Sequence, residues 1–88
     1  MKKNADMILV DDVKTMPGRR LRVAFNTGEE KIFDFSGYLD MPVFRKLKNP
    51  VLFDRAHSDG TTVVWDDDTD IAPERLYAGG KPLRPPKP

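Results

Sequence analysis

RLRVAFNTGEEKIFDF, Arg20–Phe35, is the stretch on which the fold turns. Leu21, Val23 and Phe25 fall on one side of an extended chain, and Arg20, Arg22 and Ala24 on the other. Period-two alternation of this kind marks a strand with one face in a core. Asn26-Thr27-Gly28-Glu29 then makes a tight turn, because Gly28 can take a left-handed conformation without a Cβ clash. Lys31–Phe35 alternates in its turn, with Phe33 and Phe35 opposed to Ile32 and Asp34. Strands joined by so short a turn run antiparallel.

Upstream, Met16-Pro17-Gly18-Arg19 is a second turn signal. Pro17 fixes φ near −65° and Gly18 accepts positive φ. Met7–Thr15 before it reads as a further strand, which completes a three-stranded antiparallel meander. Downstream, the spacing of Tyr38, Leu39, Val43, Phe44 and Leu47 is helical or irregular and is broken by Pro42. Asn49-Pro50 starts a helical turn, Asn as N-cap and Pro in the first turn. This helical segment is expected to lie over the aromatic row of the sheet.

Arg55–Ser58 and Thr61–Trp65 read as two strands of a hairpin with Asp59-Gly60 at its turn. A polar turn, Asp66–Asp70, leads to a last helix, Pro73–Tyr77, with Glu74 in its first turn. Ala72 is a poor N-cap, so Asp70 is expected to supply the acceptor. Gly79–Pro88 holds two glycines and four prolines, and reads as an extended, disordered tail. Its LRPPKP end has the form of a ligand for proline-recognising domains, though a solvated end explains it as well. The expected fold is α+β over residues 1–78: meander, short helical segment, β-hairpin and short C-terminal helix, followed by the tail over 79–88.

Composition narrows the chemistry. Eighty-eight residues make one small domain, and a chain of that size buries only about 60% of its unfolded surface. There is no cysteine, which excludes a disulfide, a thiolate metal site and a cysteine nucleophile. Fifteen basic and 14 acidic residues leave a net charge of +1, too little for a general pull toward nucleic acid. Met7–Val10 is too short an apolar run for a signal peptide or membrane span. A cytoplasmic protein is expected, away from membranes, with MKKN as a solvated start.

Candidate sites are few. Asp66, Asp68 and Asp70 copy the one-three-five spacing of a calcium loop, but Ile71 stands at the glycine position and Tyr77 at the bidentate glutamate position. His57 is the sole histidine, and Ser58 beside it points to the opposite face of a strand. Gly79-Gly80 lacks the Gly-Lys-Ser/Thr ending of a phosphate loop. Asp34 and Asp70, at element ends, suit turn stabilisation more than paired acid–base work. Trp65 is expected in the core with its indole N–H satisfied. Trp65, Asp70, Glu74, Tyr77 and Asp34 are therefore candidates for binding a ligand or partner, with no catalytic residue, metal site or cofactor implied.

The block Thr62, Val63, Val64, Trp65, Asp70, Ile71, Pro73, Glu74, Leu76 and Tyr77 resembles the signature of domain-of-unknown-function family 2442. Leu21-Arg22-Val23, Phe25, Gly28, Phe33-Asp34-Phe35, Asn49-Pro50 and Phe53 extend the resemblance over about Met7–Tyr77. Asp66-Asp67-Asp68 departs from the Pro-Asn-Gly-like turn of that family, and Ala72 from its Ser or Thr. The resemblance implies a small bacterial or phage-like α+β domain with no established enzyme activity. Such domains occur alone, joined to a helix-turn-helix domain, or beside a second small protein in arrangements like toxin–antitoxin pairs. It implies a non-enzymatic protein-interaction or regulatory module, antitoxin-like in its pairing with a protein partner. The alternatives are a small-ligand or metal-binding domain using a cleft near Trp65 and Asp70, and a nucleic-acid-associated regulator using Arg20, Arg22, Arg45, Lys46 and Lys48.

Overall fold

The computed structural model describes residues 7–66 and 68–83. The expected solvated start at MKKN, Asp67, and the part of the expected tail from residue 84 onward lie outside these residues. The meander forms as β1 (Val10–Met16), β2 (Arg20–Phe25) and β3 (Glu30–Asp34). Its register pairs Val13 with Val23 and Leu21 with Phe33. The ladder shifts between Val10 and Asp12. An extra residue there lets Val10 and Val13 both face the core, although three positions separate them. Both turns follow their glycines: φ is +80° at Gly18 and +91° at Gly28. Arg19 also sits at positive φ, 57°, which costs a residue with a Cβ roughly 1–2 kcal/mol.

That strain is held in place by contacts. The Arg19 Nε and Nη2 donate to the carbonyls of Leu47 and Lys48 at 3.3 and 2.6 Å. Its guanidinium lies 5.6 Å from the centre of the Phe53 ring. The first turn is thereby tied to the helical segment that covers the sheet. That segment contains a 3-10 turn at Ser36–Tyr38, a longer 3-10 stretch at Pro42–Lys48, and helix α1 (Pro50–Phe53). Phe44 and Leu47, three apart, are its buried residues in the long stretch, as a three-residue period requires. Asn49 caps α1 as expected, its Oδ1 accepting from Val51 N–H at 2.9 Å.

A second sheet holds β4 (His57–Ser58), β5 (Val63–Asp66) and β6 (Thr69–Ile71) in that order. The Asp-Gly turn is present but wider than the sequence pattern suggests. Asp59 Oδ1 accepts from both Thr61 and Thr62 N–H at 2.9 Å, so strand pairing resumes only at Val63. β6 is a strand where a polar turn was the expectation. Val63 pairs with Ile71 and Val64 with Asp70, because Thr69 and Ile71 are both buried and alternate with exposed Asp70. The two sheets meet where Val10 N–H donates to Thr61 O and the Ser58 hydroxyl to Val10 O.

Helix α2 (Pro73–Gly79) buries Leu76 and runs two residues beyond the expected end. The chain then adds β7 (Lys81–Pro82) to the edge of β3, giving the order β1-β2-β3-β7. Gly79–Leu83 thus belongs to the domain and not to a loose tail, which moves the boundary past Ala78. Composition misleads here because Pro82 takes an edge position, where no donor is needed, and the glycines take the tight ones. A Cβ at Gly79 would lie 2.9 Å from Phe33 Cε1, and one at Gly80 would lie 2.8 Å from Leu76 O.

Phe35 is fully buried at the centre of the core. Its ring lies 5.0 Å from Phe44, 5.1 Å from Trp65, 5.4 Å from Tyr38, 5.9 Å from Phe53 and 6.3 Å from Phe33. Edge-on, tilted and stacked aromatic contacts at such spacings add to plain area burial. One side chain therefore joins the first sheet, the helical segment and the second sheet.

Candidate functional site

Trp65 lies in this core, 4% exposed, as expected. Its Nε1 donates to Phe53 O at 3.0 Å, so its ring is closed to a ligand. Asp34 stands exposed at the end of β3 and accepts from the Ser36 N–H at 2.9 Å and the Ser36 hydroxyl at 2.6 Å. These donors favour the ionised form and hold its carboxyl below the usual carboxylate range. Its role is to turn the chain from β3 into the Ser36–Tyr38 turn.

Asp70 is exposed on the outer face of the second sheet, in one row with Val64 and His57. Against expectation it does not cap α2: Ala72 is the N-cap and no side chain accepts there. The strand explains this, since β6 directs Asp70 away from the helix entry. Pro73 at the first helical position removes one orphan donor, and the Arg75 and Leu76 N–H groups both donate to Ala72 O at 3.1 and 3.3 Å. Among the described aspartates that follow Trp65, Asp66 is the one whose side chain has partners. It accepts from Asp68 N–H at 3.0 Å and from Lys46 Nζ at 2.7 Å, which lowers its pKa, the lysine first. His57, Asp59, Val64, Asp66 and Asp70 border an open depression of about 380 Å³. No group of three or more histidines and carboxylates among the described residues is arranged to hold a metal ion.

Tyr77 packs edge-on against Phe25 at 5.1 Å. Its hydroxyl donates to the Glu29 carboxylate. That carboxylate pushes the phenol pKa up, and the phenol in turn lowers that of Glu29. Lys31 Nζ sits 3.6 Å from the Tyr77 ring centre and donates to Tyr77 O at 2.8 Å. Tyr77 is thus the tie between α2 and the meander. Glu74 is exposed and borders a shallow hollow with Tyr38, Arg75 and Ala78. The five candidate residues are therefore spread over separate places: one in the core, one at the end of β3, one on the second sheet, and two on α2.

Two surfaces escape a reading by chemical motif. The first is the outer face of the first sheet. Register places Lys14, Arg22, Ile32 and Lys81 in one row across all four strands. Arg22 Nε is bound to Glu30 at 2.8 Å, and acidic Asp12 and Asp34 stand in neighbouring rows. Lys46 and Lys48 of the helical segment are likewise paired, with Asp66 and Asp40. The second is the helical segment, which exposes three apolar side chains. Met41, Val43 and Val51 are 45, 53 and 65% exposed, all on the helical segment. Once Phe44 and Leu47 point inward at a spacing of three, Val43 must point outward, and that is the signal in the sequence.

Comparison with known proteins gives a family and a fold. The profile of the family described as "Protein of unknown function (DUF2442)" matches residues 10–82. Among curated proteins none matches the chain. Among solved structures, the crystal structure of "Putative DNA Binding Protein NE0471" from Nitrosomonas europaea ATCC 19718 is similar, with 25% identity and a TM-score of 0.72. The similarity covers 83% of this chain and 48% of that one, so the chain spans about half the length of its structural relative. No helix among the described residues is long and apolar enough to cross a membrane.

Proposed function

We propose that this chain, which belongs to the DUF2442 family, acts as a non-catalytic regulatory module that binds a partner protein through its helical segment. The observation that carries this reading is the exposure of Met41, Val43 and Val51 on the segment that closes the core. Exposed apolar side chains that form a patch mark interaction sites, and these three fall within one segment of the chain, residues 41–51. Three of the five candidate side chains serve the fold: Trp65 and Tyr77 tie elements together, and Asp34 stabilises a turn. A partner with an apolar docking surface fits the helical segment, and the antitoxin-like arrangement suggested by the resemblance is one form of such pairing.

The test is affinity capture from the source cell at mild salt, with wild type beside the Val43→Asp/Val51→Asp double variant. Both positions are exposed, so the variant keeps its melting temperature. The reading expects a specific protein on wild type and its loss on the variant. Equal recovery on both would remove the helical segment from the function.

The row of Lys14, Arg22 and Lys81 favours a second reading, association with nucleic acid. The description of the Nitrosomonas europaea protein supports it too. With only three basic side chains in the row, and Arg22 already paired, few phosphates can be neutralised and the salt slope is shallow. Retention on a DNA column that falls with salt, and that a Lys14→Glu/Lys81→Glu variant abolishes, is the result this reading requires.

A further inference from the structure

The edge of β3 is built for strand pairing, and the chain covers it with its own end. β3 joins β2 through odd-numbered positions: Phe25 N–H donates to Glu29 O and Phe35 N–H to Arg19 O, both at 2.9 Å. Alternation then turns the main-chain groups of Glu30, Ile32 and Asp34 away from β2. β7 takes part of that edge. Lys81 stands opposite Ile32 and Pro82 opposite Lys31, and Leu83 N–H donates to Glu30 O at 2.9 Å. Strand pairing by β7 stops at Ile32, short of the Phe33–Asp34 end of β3.

The covering strand carries the features by which sheets protect an edge. It is two residues long, it has a lysine, and it has a proline at the position that faces outward. Lys81 and Leu83 turn toward β3, so Pro82 directs its ring nitrogen to solvent, where a donor would invite another strand. Lys81, Pro82 and Leu83 are all exposed, so little apolar burial holds the strand down. Its placement depends on Gly80, where a Cβ would lie 2.8 Å from Leu76 O and 2.9 Å from Lys31 Cβ.

We propose that β7 is a guard over a self-pairing edge, and that when it lifts, β3 pairs antiparallel with β3 of a second copy of this chain. Ile32 is the midpoint of Glu30–Asp34. A two-fold axis through it leaves the whole strand paired and sets each outward position against another: Ile32 on Ile32, and Glu30 on Asp34. Lys31 then faces Phe33. The Glu30–Asp34 oppositions, two per dimer, repel, so salt strengthens this pairing by screening them. That salt response is opposite to one expected for attraction between unlike charges.

The experiment uses two variants of the full chain. Leu83→Pro deletes the donor to Glu30 without touching the core. Gly80→Ala lifts the strand by steric conflict. Sedimentation equilibrium is run over a range of concentrations at low and high salt, with amide hydrogen exchange at Ile32 as the report of strand release. Wild type is expected to keep the monomer mass. Each variant is expected to climb toward twice that mass with concentration, more so at high salt. A variant with faster Ile32 exchange that keeps the monomer mass throughout overturns the proposal. So does loss of the folded circular dichroism spectrum in both variants, since β7 is then part of the core and no guard. A wild-type dimer that neither variant changes overturns it as well.

Discussion

Replacing Phe35 tests the central physical claim about the fold. Its ring is fully buried and touches five other aromatic rings drawn from the first sheet, the helical segment and the second sheet. Phe→Ala in a core costs about 3–5 kcal/mol, and more where the walls cannot collapse into the gap. Here the walls belong to three separately anchored layers, which places Phe35→Ala at the upper end, on the order of 4–5 kcal/mol. At about 0.05–0.15 kcal/mol per residue, a domain of this length holds only about 4–13 kcal/mol. Near the lower end of that range the alanine variant is unfolded in buffer, so Phe35→Leu is the quantitative probe. It keeps most of the volume and loses the ring contacts, at an expected cost of about 1–3 kcal/mol. Urea unfolding followed by Trp65 fluorescence and by far-ultraviolet circular dichroism measures both. The slope should match wild type, because the surface exposed on unfolding hardly changes. A Phe35→Leu loss below about 0.5 kcal/mol with an unchanged slope would show that the aromatic cluster does not join the layers.

Trp65→Phe removes the indole donor to Phe53 O, which keeps the Ala56 N–H at 3.2 Å, and the lost bond should cost about 0.5–1.5 kcal/mol in the same urea assay. Arg19→Ala keeps the positive-φ strain and loses the clamp on Leu47 and Lys48, whereas Arg19→Gly relieves the strain; calorimetry should find the alanine variant less stable by roughly 1 kcal/mol. Asp70→Ala should change stability by less than about 0.5 kcal/mol, since Asp70 caps nothing, and a loss as large as that of a removed cap in urea titration would reverse the assignment. The Glu29–Tyr77 bond raises the folded pKa of the phenol, so its contribution is complete below the ordinary phenol value and vanishes as pH rises through the raised one. Tyr77→Phe should flatten the alkaline limb of a plot of melting temperature against pH. Asp34 has the opposite sign: its lowered folded pKa gives stability above the ordinary carboxylate range that is lost as pH falls through the lowered value, and Asp34→Asn should flatten the acid limb.

The meander was legible because its cause is local. Leu21, Val23 and Phe25 alternate within one run, and Gly18 and Gly28 turn the chain with the positive φ that they alone accept cheaply. The α1 cap was legible for the same reason, Asn49 bonding only two residues ahead. β6 and β7 were not, because what makes them strands is remote. Thr69 looks polar in sequence but becomes a core residue in the structure. Thr62, equally polar by type, is buried with its hydroxyl bound to Ile71 O. Lys81-Pro82 carries no strand signal of its own. It pairs because Gly79 and Gly80 let the chain pass close to Phe33 and Lys31, residues more than forty positions earlier. Glycine-rich composition carries the conformational freedom but not the neighbour that uses it.

The candidate site shows the same division between local and remote causes. Asp34 as a turn residue and Trp65 as a core residue follow from their immediate context. Asp70 was misplaced because its cap role assumed a loop, and one strand of three residues turned it to the other face. Tyr77 gains its meaning from Glu29 and Lys31, across the sheet, in a tie that no spacing along the chain reveals. Placing every candidate by its contacts changes the question asked of the surface. Trp65, Tyr77 and Asp34 turn out to hold elements or turns together, Asp70 and Glu74 stand exposed, and Met41, Val43 and Val51 are exposed and chemically plain. Recognition through apolar contact needs only such residues on a rigid support. Phe44 and Leu47, buried beneath the same segment, supply that support. A substitution that loosens them should therefore weaken partner binding without altering any exposed residue. Leu47→Ala, which leaves the surface chemistry intact, should lower capture of the partner in proportion to the lost order of the segment. Full capture by a Leu47→Ala variant whose segment has melted by hydrogen exchange would separate binding from that rigidity.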